Sequence, residues 1–65
     1  MNDDFDCQML LQIPQQAAIG IIRKAGFIDR ILSKDNTQFI ATRDYRKDRI
    51  NLRIVNGLVS EARIG

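Results

Sequence analysis

The chain has 65 residues, of which 45% are hydrophobic and 28% charged, and its net charge is +2. A chain of that length forms one small domain that buries roughly 60% of its unfolded surface, which is too little to enclose a deep catalytic cavity. The apolar fraction argues against disorder, and the small net charge by itself implies no polyanionic partner.

Cysteine and histidine sharpen this picture. Cys7 is the single cysteine and there is no histidine, so an internal disulfide, a histidine-based zinc site and a histidine-activated nucleophile are all excluded by composition. The reading for Cys7 is a small, buried or half-buried apolar residue. The start MNDDFDCQ holds Asp3, Asp4 and Asp6 and no basic residue, so it does not have the form of a signal peptide. No apolar run approaches the ~20 residues that span a bilayer. The expected location is cytoplasmic as written, or secreted or periplasmic if a leader has been removed, and no membrane partner is expected.

Residues 1–6 read as a flexible acidic tail. Gln8–Ile13 is apolar but short, and Pro14 closes it. Proline suits the first turn of a helix, where its missing N–H has no partner to lose. The stretch PQQAAIGIIRKAG behind it places Ala18, Ile21, Ile22 and Ala25 at helical spacing. Arg23 and Lys24 complement the helix dipole at its end, and Gly26 suits the left-handed residue that follows. A helix beginning at Cys7 and kinked at Pro14 is the alternative.

Phe27–Leu32 reads as a strand, SKDNT as a turn or loop, and Gln38–Thr42 as a second, shorter apolar run. From Arg49 the alternation is strict: Ile50, Leu52 and Ile54 point one way, Arg49, Asn51 and Arg53 the other. A two-residue turn at Asn56-Gly57 would set Leu52 opposite Glu61 and Ile50 opposite Arg63. A three-residue connection over Val55-Asn56-Gly57 instead pairs Ile54 with Leu58, Leu52 with Ser60 and Ile50 with Ala62, which keeps one apolar face. That second register is the expected one. The fold class is thus α+β, with one helix covering the Ile50/Leu52/Ile54 face of a small mixed sheet of three to four strands. A single domain spans 1–65.

The charged stretch Ala41–Gly57 carries five basic residues (Arg43, Arg46, Lys47, Arg49, Arg53) against Asp44 and Asp48, around Tyr45. Three readings fit it. The outward arginines can simply guard a sheet edge. They can form a nucleic-acid patch on which Tyr45 stacks a base, although the two aspartates would repel phosphate. Or the stretch can be a loop built for another protein. Nothing in the chain forms a metal-binding loop, a phosphate cradle or a nucleophile elbow, so an enzyme is not expected, and no cofactor.

The third reading gains weight from a resemblance. The pattern TRDYRKDRINLRI, then NGLV and RIG, resembles the reactive-loop and hairpin signature of the potato inhibitor I superfamily, small serine-protease inhibitors with one helix on a mixed sheet. It is most similar to the microbial members. Thr42, Asp44, Tyr45, Arg46, Asp48, Arg49, Ile50, Asn51 and Leu52 fit the signature, with Asn56, Gly57 and Gly65. The resemblance implies a reactive loop at residues 34–46, with the scissile bond between Arg43 and Asp44 and with Arg43 entering the specificity pocket of a trypsin-like or subtilisin-like protease. It implies that Thr42 and Asp44 are braced from the following strand, Arg49 at one bracing position and Asn51 at the other. Tyr45, Arg46 and Gly65 belong to the same loop support. The implied partner is a serine protease. A non-inhibitory protein-interaction module on the same scaffold is the alternative, and a weak nucleic-acid-binding domain a second. One structural question stays open at this point: SKDNTQFIAT can either protrude as a loop or fold as a hairpin, with Phe27–Leu32 and Gln38–Thr42 antiparallel.

Overall fold

The computed structural model describes residues 5–65. Along them run a 3-10 turn (Cys7–Leu10), helix α1 (Gln15–Lys24) and strands β1 (Ile28–Lys34), β2 (Thr37–Gln38), β3 (Arg49–Val55) and β4 (Leu58–Ile64). The strands make one mixed sheet in the order β2-β1-β3-β4. β1 and β3 run parallel, and the outer pairs are antiparallel. The class is α+β, with one α-helix on a four-stranded sheet. Among the described residues no helix is long and apolar enough to cross a membrane.

The helix forms where its spacing predicts. Ala18 and Ile22 are fully buried, and Ile21 and Ala25 pack at the margin of the same cluster. Its end is a Schellman motif: the N–H of Gly26 donates to Arg23 O and that of Phe27 to Ile22 O, both at 3.0 Å. Gly26 takes φ 89°, the conformation that glycine adopts without penalty. Phe27 therefore belongs to the helix end, and the strand expected from Phe27 begins one residue later.

The core lies between α1 and one sheet face. Ile50, Leu52 and Ile54 of β3 meet Ala18, Ile22, Leu10, Phe27 and Val59 there, all buried. Burying such aliphatic side chains contributes roughly 1.5–3 kcal/mol each before entropy is counted.

The N-terminal segment departs from both expectations for it. Leu11 is extended and Gln12 takes φ 68°, so residues 7–10 are not the start of a kinked α1. Tertiary bonds win over helix continuation: Gln12 N–H donates to Val59 O at 2.7 Å and Val59 N–H to Ile13 O at 2.9 Å. The segment thus lies along β4 and delivers Leu10 to the core. Of the expected tail 1–6, residues 1–4 lie outside the described residues. Phe5 and Asp6 are part of the fold, because the Phe5 ring packs 5.2 Å from that of Phe27 and the Asp6 carboxylate accepts the Gln8 N–H at 2.9 Å.

The hairpin register also differs. Val55 pairs with Leu58 and Ile54 with Val59, a two-residue turn with Asn56 and Gly57 both at positive φ (54° and 79°). A register shift then leaves Ser60 as an extra residue on β4, so Leu52 pairs with Ala62 and Ile50 with Ile64. The bulge reconciles what had looked incompatible, a tight Asn-Gly turn and a continuous apolar face. The Ser60 hydroxyl donates to Arg53 O at 3.1 Å beside it.

Between β1 and β3 the chain combines the two open alternatives. A short antiparallel hairpin forms, Ser33 with Gln38 and Lys34 with Thr37, and Phe39 N–H still reaches Leu32 O at 2.9 Å. Pairing then stops, and residues 40–46 have no regular structure before a turn at 47–48. The expected loop of 34–46 is therefore displaced, since Lys34 closes β1 and Thr37–Gln38 form β2.

Candidate functional site

Alternation along β3 sends Arg49, Asn51 and Arg53 to the face away from α1. The parallel register places Arg30 of β1 beside Asn51, on that same face. Residues 42–46 sit over this end of the sheet, held by both strands.

Arg49 is the principal anchor. Only 8% exposed, it donates from Nη2 to the backbone oxygen of Asp44 at 2.6 Å and to that of Gly65 at 2.8 Å. Its Nη1 lies 3.6 Å from the Asp44 carboxylate. A guanidinium donor to a carbonyl is stronger than a neutral one, and two such bonds tie the loop to the end of β4. The backbone completes the clamp: Arg46 N–H donates to Gly65 O at 3.0 Å and Gly65 N–H to Arg49 O at 2.9 Å. Glycine suits this closeness, because a Cβ at Gly65 would stand 3.0 Å from the Asn51 side-chain amide and would push it aside. The Nε of Arg49 is buried without a hydrogen-bond partner among the described residues.

The second brace is Arg30. Its Nε donates to the Asn51 side-chain oxygen at 2.8 Å, and its Nη1 reaches Thr42 Oγ1 at 3.2 Å and Thr42 O at 3.5 Å. The Thr42 hydroxyl in turn donates to the Asp44 carboxylate. That bond, helped by the nearby Arg49 and Arg30 charges, holds the Asp44 carboxyl below its ordinary range.

Of the residues singled out from sequence, Thr42, Asp44, Arg49, Asn51 and Gly65 are brought together, with two corrections. Asn51 does not brace the loop directly; it accepts a bond from Arg30 and so orients the guanidinium that does. Only Arg49 of the two braces rises from the strand that follows the loop. Nor does the Arg46 side chain brace residues 42–44: it makes two bonds to Asp48, at 2.9 and 2.8 Å, and only its backbone joins the clamp. This pairing holds the Asp48 carboxyl below its usual range. Tyr45 stays 70% exposed. Arg30 was missed because the register between β1 and β3 is not written in either strand.

Arg43 is exposed, and among the described residues its side chain joins no hydrogen bond or ion pair. Most of the basic excess is engaged elsewhere, Arg46 with Asp48, Arg49 with Asp44 and Arg53 with Glu61 at 3.8 Å. Upstream on the same loop, Phe39 is 47% exposed and Ile40 fully so. Among the described residues no cluster of three metal-ligating side chains occurs. In comparisons with known proteins, the chain matches no family model, no curated protein and no solved structure significantly.

Proposed function

We propose that the chain is a substrate-like inhibitor of serine proteases on a scaffold of the potato inhibitor I type, presenting the Arg43–Asp44 peptide bond to a trypsin-like or subtilisin-like enzyme. One observation carries this reading. Thr42 and Asp44 are gripped on either side of Arg43 by two guanidinium groups fixed in the sheet, while Arg43 itself projects free. Holding a loop near the geometry that a protease cleft selects removes much of the ordering cost of binding. The same bonds keep Asp44 tied to the sheet after cleavage, so a cut bond would stay in place for resealing rather than release.

The test is titration of trypsin and subtilisin with the wild type and Arg43→Ala. Tight, stoichiometric inhibition of trypsin that Arg43→Ala abolishes is the expected result, with stability unchanged within about 0.5 kcal/mol because the Arg43 side chain makes no hydrogen bond or ion pair among the described residues. Absence of inhibition of both enzymes at micromolar concentration would remove the proposal. The exposure of Phe39 and Ile40 favours a second reading, a non-inhibitory loop that docks on another protein. In that case trypsin cleaves after Arg43 at an ordinary rate and no lasting complex forms.

A further inference from the structure

The sheet has an edge on the side of β4, and its two halves are treated differently. At Val59 both backbone groups that point away from β3 are satisfied by Gln12 and Ile13, and Pro14 bridges to Leu58. Beyond that point, among the described residues, the N-terminal segment makes no further backbone bond to β4, although the Cys7–Leu10 turn still packs beside the strand. Gly65 N–H donates inward to Arg49 O. In an antiparallel ladder inward and outward residues alternate, so the N–H and C=O of Ala62 and Ile64 face outward. Unpaired groups in such a row are a template for another strand.

The side chains beside this open row decide what strand fits. Glu61 and Arg63 share the face of Arg53 and Asn51, their partners across β3. Glu61 lies 3.4 Å from Arg63 and 3.8 Å from Arg53. If a second β4 pairs antiparallel with the first about a two-fold axis at Ala62, residue 61 of each copy falls opposite residue 63 of the other. Each Glu61 then meets an Arg63, twice by symmetry. Directly opposed opposite charges stabilise a strand pair, whereas like charges there would repel. The edge is thus self-complementary in both its backbone and its charges. Ile64, an apolar residue 39% exposed beside the same row, gains cover in that arrangement.

We propose that the outer edge of β4, from Ser60 to Ile64, is an interface with a second copy of this chain, joining two sheets into one through Ala62 with reciprocal Glu61–Arg63 pairs. A few residues of strand edge form a small interface, so the dimer is a weak one. It is independent of the inhibitor reading, since among the described residues none of these side chains is hydrogen-bonded or ion-paired to residues 42–44.

Charge variants test it. In Glu61→Arg both positions become basic, and in Arg63→Glu both become acidic. Each homodimer is then repulsive, but a one-to-one mixture restores two attractive pairs. Sedimentation equilibrium of the wild type is expected to show a mass rising toward twice the monomer with concentration. Each variant alone is expected to stay at the monomer mass and the mixture to recover the dimer, circular dichroism confirming that all fold. Ala62→Pro removes an outward N–H and no ladder bond to β3, and should abolish association while the fold persists. The proposal is overturned if the wild type stays monomeric up to about 1 mM, a concentration at which even a small interface would be populated. It is equally overturned if the mixture is no heavier than its components, or if folded Ala62→Pro associates like the wild type.

Discussion

On one side of β3, Ile50, Leu52 and Ile54 are fully buried under α1 and the Cys7–Leu10 turn. On the other, Arg49, Asn51 and Arg53 face away from the helix, and Arg49 with its neighbour Arg30 holds the irregular residues 42–46. The same seven-residue strand therefore does two jobs through its two-residue period. The core face works by non-directional burial, which tolerates any well-packed aliphatic arrangement. The outer face works by directional bonds to particular oxygens, which fix the position of a loop that buries almost nothing. Stability resides on the first face and loop geometry on the second, and the two should respond differently to substitution.

The largest expected effect is on the core face. Leu52→Ala should cost about 2–5 kcal/mol, a large share of the stability of a domain this small, and urea denaturation followed by circular dichroism would measure it. A cost under 1 kcal/mol would mean that the apolar face is not the seat of stability. Next comes Arg49→Met, which keeps much of the buried stem but loses bonds to two backbone oxygens. It should cost roughly 1–3 kcal/mol, with the loss of hydrogen-exchange protection concentrated at residues 42–46. Uniform loss across α1 and β3 instead would erase the distinction between the faces.

Arg30→Met should be milder, about 0.5–1.5 kcal/mol, and should free Thr42 more than Asp44. Wild-type order at Thr42 in the variant would leave Arg49 as the single brace. The smallest effect is that of acid. The Asp44 carboxyl titrates below its ordinary value, chiefly through the Thr42 hydroxyl and then the two guanidinium charges. A group whose folded value is depressed contributes fully above the free value of about 3.9 and loses that contribution as pH falls through the folded value. Protection of the amides at residues 42–46, taken relative to the intrinsic exchange rate at each pH, should therefore fall below about pH 4 before that of the core face does. Simultaneous loosening of Ile50 and Leu52 amides would place the acid effect elsewhere.

How much of this was legible in the sequence differs between the faces. The alternation from Arg49 to Ile54, the apolar stripe of Ala18 and Ile22, and Gly26 after the helix are local patterns, and all three appear as read. The turn at Asn56-Gly57 was legible too, but its register was not. Pairing rules applied to a regular ladder rejected the two-residue connection, and the bulge at Ser60 supplied the missing residue. The docking of Gln12 and Ile13 on Val59 was likewise hidden, because a short apolar run does not name its partner. At the site, resemblance pointed to Thr42, Asp44, Arg49 and Asn51, which the fold does bring together. It put the second brace on the wrong strand.

By itself the sequence determined which side chains of α1 and β3 would line the core, since hydrophobic period and glycine position are properties of a few adjacent residues. The tertiary structure alone decided which strand lies next to which and in what register, because that depends on contacts between segments that share no local signal. Arg30 shows the consequence. Nothing near residue 30 marks it as a partner of Thr42, and it becomes one because β1 lies parallel to β3 with Arg30 opposite Asn51.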